Sequence, residues 1–315
     1  MAALAIDLGG TKLSFAVFSQ QGELRNKKII LLNKKSGNEL GELIVEEVHK
    51  ITRSENIGSI GVAVPGIYRS KTGTVWAPNI EGWEDYPLLR QLREAVNIPV
   101  VINSDRACYI LGEWWQGNAK GCSDVIYLAV GTGIGAGILT GGKVLQGAHD
   151  IAGAIGWLAL QQPFQDKYIS CGCFEYHASG TGIVNVTREL LVQQKEYKGE
   201  LAQQPIDQLT AHDVFAAYEK NDELAKGVFD TCIRFWGMAV ANLVSLFNPE
   251  KIILGGGIFG PGLRFAPAIL EEAARWAQPI GMQQVSIEPS ALGTDAGLYG
   301  AGWLAFNAVN PDHVQ

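Results

Sequence analysis

Two rhythms of apolar and polar positions run along this chain. Short runs dense in aliphatic and β-branched residues, ALAID (3–7), LSFAVF (13–18) and RNKKIILL (25–32), predict strands, separated by the turns GGTK and QQGE. Between residues 38 and 53 the apolar positions Leu40, Leu43, Ile44, Val48 and Ile51 recur at helical spacing. SIGVAV, closed by Pro65-Gly66, predicts a strand; a helix near 86–96, the strand IPVVIN and a helix from about Asp105 to Gln116 follow. The polar stretch NAKGCSD (118–124) predicts a domain boundary. Beyond it come VIYLAV, GAGILT and, after Gly141-Gly142, KVLQG as strands. Residues 179–247 read as mostly helical, ending at Asn248-Pro249; strand KIILGGG, another helix and a last helix from about Asp295 to Ala308 complete the chain. Two blocks thus each open with hairpin-like strands and continue with alternating helix and strand. That predicts an α/β protein of duplicated plan with a ligand cleft between its halves. The expected domains are 1–117, with the C-terminal helix of about 295–315 packing back on it, and 118–294.

Composition narrows the class without naming it. A chain of 315 residues favours two domains, and 47% hydrophobic with 18% charged residues belongs to a globular rather than a disordered protein. With a net charge of −7, a nucleic-acid partner would need a local basic patch, and the short RNKK and NKK of residues 25–35 read as a solvated strand edge. No apolar run approaches the ~20 residues that span a bilayer, and MAALAIDLGG has no secretory-leader pattern. Five irregularly spaced cysteines suit a reduced, cytoplasmic protein.

Glycine-rich turns carry the candidate chemistry: DLGGTK (7–12), GTGIGAG (131–137), LGGGI (254–258) and GTDAG (293–297). Each follows a strand or opens a helix, where bare backbone N–H groups can meet an anion. One such loop is most simply a hairpin turn; several at corresponding places in two halves point to phosphate. G-x-x-x-x-G-K-[ST] is absent, and GTGIGAG is not G-x-G-x-x-G and leads into a strand, which excludes P-loop and Rossmann patterns. What remains is a fold gripping phosphate with two β-hairpin turns.

The segments AIDLGGTKLSFAVF, VPG, APNIEGW, SDRACYILGE, LAVGTGIGAGILTGGKVLQGA, CFEYHASGTG, IILGGGI and LGTDAGLYGAGWLA occur in an order and spacing that resembles the ROK family (repressors, open reading frames and sugar kinases) over essentially the whole chain. The resemblance implies an actin-like (ribonuclease H-like) ATPase fold, two α/β domains with ATP and sugar in a central cleft. It also implies an ATP- and Mg-dependent kinase acting on a hydroxyl, the 6-hydroxyl first, of a hexose or hexose derivative. A small sugar is the partner, with no nucleic acid or membrane and a homodimer left open. Repressor members carry a DNA-binding region before the first strand, where this chain begins, so the resemblance points to the kinase type. It assigns Asp7 to Mg²⁺ or its waters, Gly9, Gly10, Thr11 and Lys12 to one phosphate turn, and Gly131, Thr132 and Gly133 to the other. Gly255, Gly256 and Gly257 would lie against adenosine. Asn79, Ser104, Glu175 and Gly66 fall to the sugar, and Asp105 to the general base that accepts the hydroxyl proton. Taken alone, Asp105 is equally a helix N-cap. The rival class is a non-catalytic sugar- or nucleotide-binding regulator of the same fold; a third option is an enzyme using another phosphoryl donor or a non-sugar polyol.

Three sugar-pocket positions depart from the family. Ser104 stands where Asn is usual, with Asn103 one step earlier, and A-G-E-x-G-H becomes AGAIGW, so the Glu is Ala154 and the His is Trp157. In the family that Glu and His contact the hydroxyls or substituent on carbons 1 and 2, so recognition there should change. Trp157 can stack on a sugar's C–H face or fill space, and space-filling is the expectation taken forward. ISCGCFEYH (169–177) raises the family's zinc site, built from that His and the cysteines of C-x-C-G-x-x-G-C-x-E. Laid without gaps on Cys173 and Glu175, its other ligand positions hold Asp166, Tyr168 and Trp157; laid on Cys171 and Cys173, the third cysteine and the His are lost. No structural zinc is expected. His149 and His177 read as ordinary polar residues, and Trp76, Trp83, Trp114 and Trp115 as packing.

Overall fold

The computed structural model describes residues 1–309; the end of the expected C-terminal helix, 310–315, lies outside the described residues. The first sheet is formed by β1 (Ala2–Leu8), β2 (Lys12–Phe18), β3 (Leu24–Leu31), β4 (Ile57–Val64) and β7 (Val100–Ser104), in the order β3-β2-β1-β4-β7. The hairpin strands pair antiparallel and the β1–β4–β7 side is parallel. The second sheet repeats that order with β8 (Val125–Val130), β9 (Ile134–Thr140), β10 (Lys143–Val144), β11 (Lys251–Gly255) and β12 (Ser286–Pro289), arranged β10-β9-β8-β11-β12. A small ribbon, β5 (Ile67–Arg69) and β6 (Thr74–Trp76), follows β4.

The chain divides into two compact units: Met1–Ser123 with Gly137–Gly153 and the segment from Ser290, and Asp124–Ala136 with Ala154–Pro289. In the first, β1 reads almost unbroken apolar because helices cover both sheet faces, whereas β3, at the edge, is exposed from Arg25 to Ile29. The amphipathic helix α1 (Gly37–Ser54) buries Leu40, Ile44 and Val48 in the main core, which also takes in Leu4, Ile6, Phe15, Val62, Trp83 and Leu92 of α2 (Leu88–Ala95). Each such aliphatic side chain contributes about 1.5–3 kcal/mol on burial. On the opposite face α3 (Asp105–Gln116) and α10 (Ala296–Val309) pack over Ala5, Ala16, Phe18 and Ala63. Small residues set that spacing: a Cβ on Gly300 would collide with the Cys108 carbonyl, and one on Gly112 with Ala296.

In the second unit the 25-residue helix α7 (Glu223–Phe247) is capped by Asp222, which accepts from Ala225 N at 3.0 Å, and ends at Asn248 in the left-handed region before Pro249. α5 (Gly180–Gln193) and α6 (Ala211–Glu219) precede it, with α8 (Ala266–Ala274) and α9 (Pro279–Gln284) after β11. KVLQG, in the stretch that belongs to the first unit, is a strand only at Lys143–Val144; from Ala154 the second unit's chain forms two 3₁₀ turns, Ile155–Trp157 and Asp166–Tyr168, and α4 (Cys173–Ala178). In the first unit Trp83 stacks on Tyr86 at 4.3 Å, and Trp115 packs on Tyr299, Trp303 and Phe306, so these tryptophans serve packing. Among the described residues no helix is long and apolar enough to cross a membrane.

Candidate active site

In the first unit the chemistry gathers where β1 runs out. Asp7 sits at the end of the strand, and the turn beyond it closes with Gly9 N–H donating to the Lys12 carbonyl at 2.9 Å, leaving Gly10 and Thr11 exposed. Asn79 lies beside the same turn: a Cβ on Gly10 would be 3.8 Å from its Cβ. Burial, reinforced by the charge of Asp105 and partly offset by Lys12, pushes the Asp7 carboxyl up to about 7. The N-terminal end of α10 closes over this carboxylate; a Cβ on Gly297 would stand 2.9 Å from Asp7 Oδ2, so the GTDAG loop must present glycine there.

At the junction of β7 and α3 the capping question resolves. Ser104 has the extended conformation of a cap, and its Oγ accepts from Ala107 N at 3.4 Å. Asp105 is therefore the first helical residue and its carboxylate is not spent on the cap. Its Oδ1 accepts from Arg106 N at 2.7 Å and its Oδ2 from the Tyr109 hydroxyl at 3.3 Å. Burial raises its carboxyl, with Arg106 and Tyr109 pulling back. Two acids held in one low-dielectric place, each favouring the proton, are the pattern of a site that awaits a cation or an acidic proton. Asn103 Oδ1 accepts from Ser104 N at 2.8 Å, and the Gly66 carbonyl accepts from Arg106 Nη2 at 3.2 Å.

One residue the sequence did not single out organises this region. Glu113, fully buried, accepts from Ser290 Oγ at 2.6 Å, Asn118 N at 2.9 Å, Leu292 N at 3.0 Å and Ala291 N at 3.3 Å. It ties the segment leading to Gly297 and Asp7 onto α3. Only its place in SDRACYILGE hinted at a role.

In the second unit Gly131, Thr132 and Gly133 form the β8–β9 turn, with Gly131 N donating to Gly133 O at 2.9 Å. The start of α5 docks on it: Gly180 N donates to Gly131 O at 2.7 Å, and the Ser179 cap accepts from Gly182 N at 2.9 Å. Between this turn and Gly257 opens a cavity of about 490 Å³, lined further by Thr181, Asn185, Arg188, His212, Phe215, Ile258 and Pro261. That volume is in the range of small-molecule sites, with apolar walls and a few polar groups. Gly255 is buried in the strand, while Gly256 and Gly257 are exposed, Gly257 at the cavity. The α5 and α6 residues lay in a stretch legible only as helix; the SGTG opening α5 was the available signal.

Glu175 stands at the first turn of α4, where its Oε2 accepts from Ile134 N at 2.6 Å, one residue past the Gly131–Gly133 turn. Burial raises its carboxyl, with that N–H pulling back. Trp157 does not fill space as expected: it is 58% exposed, at the end of a turn whose preceding residues, Ile155 and Gly156, are buried. The family's zinc does not fit the donors present. Its positions hold an exposed indole at Trp157, Asp166, the Tyr168 phenol and Cys173, and Tyr168 Oη is hydrogen-bonded to His177 Nε2 at 2.9 Å. His177, at 6% exposure, stacks on Phe235 at 4.4 Å, and its Nδ1 is buried without a partner. Among the described residues no group of three or more His, Cys, Asp or Glu side chains is placed to hold a metal ion.

Two sheets of one strand order, each with a glycine turn between its first two strands and acidic side chains beside it, have the architecture of the actin-like fold class. The sequence profile of the ROK family matches residues 3–308, and the chain belongs to that family. It is 34% identical to a glucokinase of Halalkalibacterium halodurans over 98% of this chain and 96% of that protein. A beta-glucoside kinase of Listeria monocytogenes is 28% identical over 96% of each. The crystal structure of a ROK family glucokinase from Streptomyces griseus, in complex with glucose and AMPPNP, covers 98% of this chain and 100% of its own at a TM-score of 0.79 and 26% identity.

Proposed function

We propose that this carbohydrate kinase transfers the γ-phosphoryl group of ATP to a hydroxyl, the 6-hydroxyl first, of a hexose or hexose derivative, with Asp105 as general base. The observation that carries it is the division of labour at the β7–α3 junction: Ser104 caps the helix, so the raised, buried carboxylate of Asp105 remains for proton transfer. As the sugar oxygen bonds to the γ-phosphorus and the bond to the ADP oxygen breaks, Asp105 takes the hydroxyl proton. A neutral alcohol is a poor nucleophile, and such a base contributes about 10²–10⁴-fold.

The cavity of the second unit suits a nucleoside, with the Gly131–Gly133 turn offering N–H groups and a hydroxyl to phosphate. In the first unit the Gly9–Lys12 turn carries N–H groups, the Thr11 hydroxyl and the Lys12 ammonium, which suit phosphate by the same chemistry. Asp7, whose carboxyl is pushed up by burial and then by the charge of Asp105, fits a divalent cation and would hold Mg²⁺ directly or through water. Bound there, Mg²⁺ supplies charge neutralisation to the phosphates. Asn79 and Glu175 are assigned to sugar hydroxyls, and Ala154 and Trp157 remove polar partners beside Glu175, which favours an acceptor altered around carbons 1 or 2. The glucokinase and beta-glucoside kinase names of the relatives make glucose and β-glucosides the first acceptors to try. The test is ADP release from ATP and Mg²⁺ over a sugar panel, with the product's phosphate located by NMR. Release above background with a hexose-type acceptor is expected; none with any sugar, at concentrations where nucleotide binding is demonstrated, refutes the proposal.

A further inference from the structure

We propose that Trp157 is a specificity-determining residue that seats the second ring of a glycoside, so that the preferred acceptor is a hexose with a ring-bearing glycosidic substituent rather than the free monosaccharide. The inference rests on Glu175 being a sugar ligand. Glu175 is half-buried and tied to Ile134 N, while Trp157 is 58% exposed. They are linked through the backbone. Gly156 backs onto the glutamate, where a Cβ would stand 3.0 Å from Glu175 Cβ and Oε2 and 3.1 Å from the Ile134 carbonyl. Gly172, three residues before Glu175 and at φ +84°, lies against the other side, where a Cβ would stand 2.6 Å from Trp157 Cα. The indole is thus carried on a turn clamped by the residues that place Glu175, which makes it a preorganised platform. Its chemistry is selective. A monosaccharide edge needs polar partners, and Ala154 offers none, whereas the C–H face of a second ring or an aryl group stacks on indole. Covering about 55–90 Å² of the exposed indole corresponds to roughly a 10- to 50-fold preference.

The test compares glucose, methyl β-glucoside, phenyl β-glucoside and cellobiose with the wild type, Trp157→Ala and Trp157→Phe. Trp157→Ala should lose roughly 10- to 50-fold in kcat/KM for phenyl β-glucoside and cellobiose, through KM, with kcat and all glucose parameters within about twofold; Trp157→Phe should retain most of the preference. Without ATP, cellobiose should shift wild-type tryptophan fluorescence and leave that of Trp157→Phe unchanged. Equal losses on every acceptor, or none on the two-ring acceptors, overturn the proposal. Failure of the underlying assignment reads differently: Glu175→Gln with unchanged KM for every acceptor removes the glutamate from the sugar site, and a wild type inert to all sugars removes the kinase reaction.

Discussion

Replacing Asp105 by Asn separates proton acceptance from everything else this side chain does. The amide keeps the volume and one oxygen for the Arg106 N–H, now at 2.7 Å, and its nitrogen can donate to the Tyr109 hydroxyl that presently donates at 3.3 Å. Arg106 loses a neighbouring charge but keeps the Gly66 carbonyl at 3.2 Å. Removing the buried charge also relieves Asp7, whose carboxyl is raised by burial first and by Asp105 second. The variant should therefore be at least as stable as the wild type near pH 8, where both acids are otherwise ionised at a cost. Turnover should fall by about 10²–10⁴, the share of a general base, or ~2.7–5.5 kcal/mol in barrier height at 1.36 kcal/mol per decade. A coupled ADP assay at saturating sugar and ATP measures kcat, calorimetry measures both affinities, and thermal denaturation measures stability. Loss of kcat with affinities within about threefold and an unchanged or raised Tm is expected. A kcat within threefold of wild type refutes the base, and lost turnover accompanied by lost binding and a lowered Tm makes Asp105 a structural residue instead.

Glu113→Ala strands four donors around a fully buried carboxylate, each such bond to a charged acceptor being worth about 1.5–3 kcal/mol and the set not additive. Urea denaturation should show a loss of about 3–5 kcal/mol, and a change below 1 kcal/mol would show that the segment from Ser290 holds itself. Burial, then Lys167, lowers the His177 pKa to about 4 against an unfolded value near 6.5, so the unfolded chain binds the proton first. This contribution is complete above pH 6.5 and is lost as pH falls toward 4; partial solvent screening reduces the ~3 kcal/mol ceiling to about 1–2 kcal/mol. His177→Gln should flatten the urea midpoint between pH 7.5 and 5, and identical slopes in the two proteins would count against a buried neutral imidazole. Because the zinc donors are missing, chelator should leave the Tm unchanged; about one zinc per chain in untagged protein, lost to chelator with a drop in Tm, would refute that.

Period and turn chemistry are local, and the sequence determined what depends on them. The period-2 and helical patterns placed the strands and helices within a few residues, and the glycines of DLGGTK and GTGIGAG marked the turns because only a side chain without Cβ leaves the backbone N–H groups bare. The family resemblance rested on the same segments. Only the tertiary structure decided which neighbour a side chain meets. Ser104 and Asp105 are both good caps by composition, and the extended backbone at Ser104 chose between them. Trp157 lies in an irregular segment with no period to say which way it faces, and its turn, held between Glu175 and Gly172, directs the indole outward. The cavity walls come from α5 and α6, whose apolar pattern is the same whether a face covers core or ligand. Glu113 finds three of its four partners 177–179 residues along the chain, a pairing that no local pattern encodes.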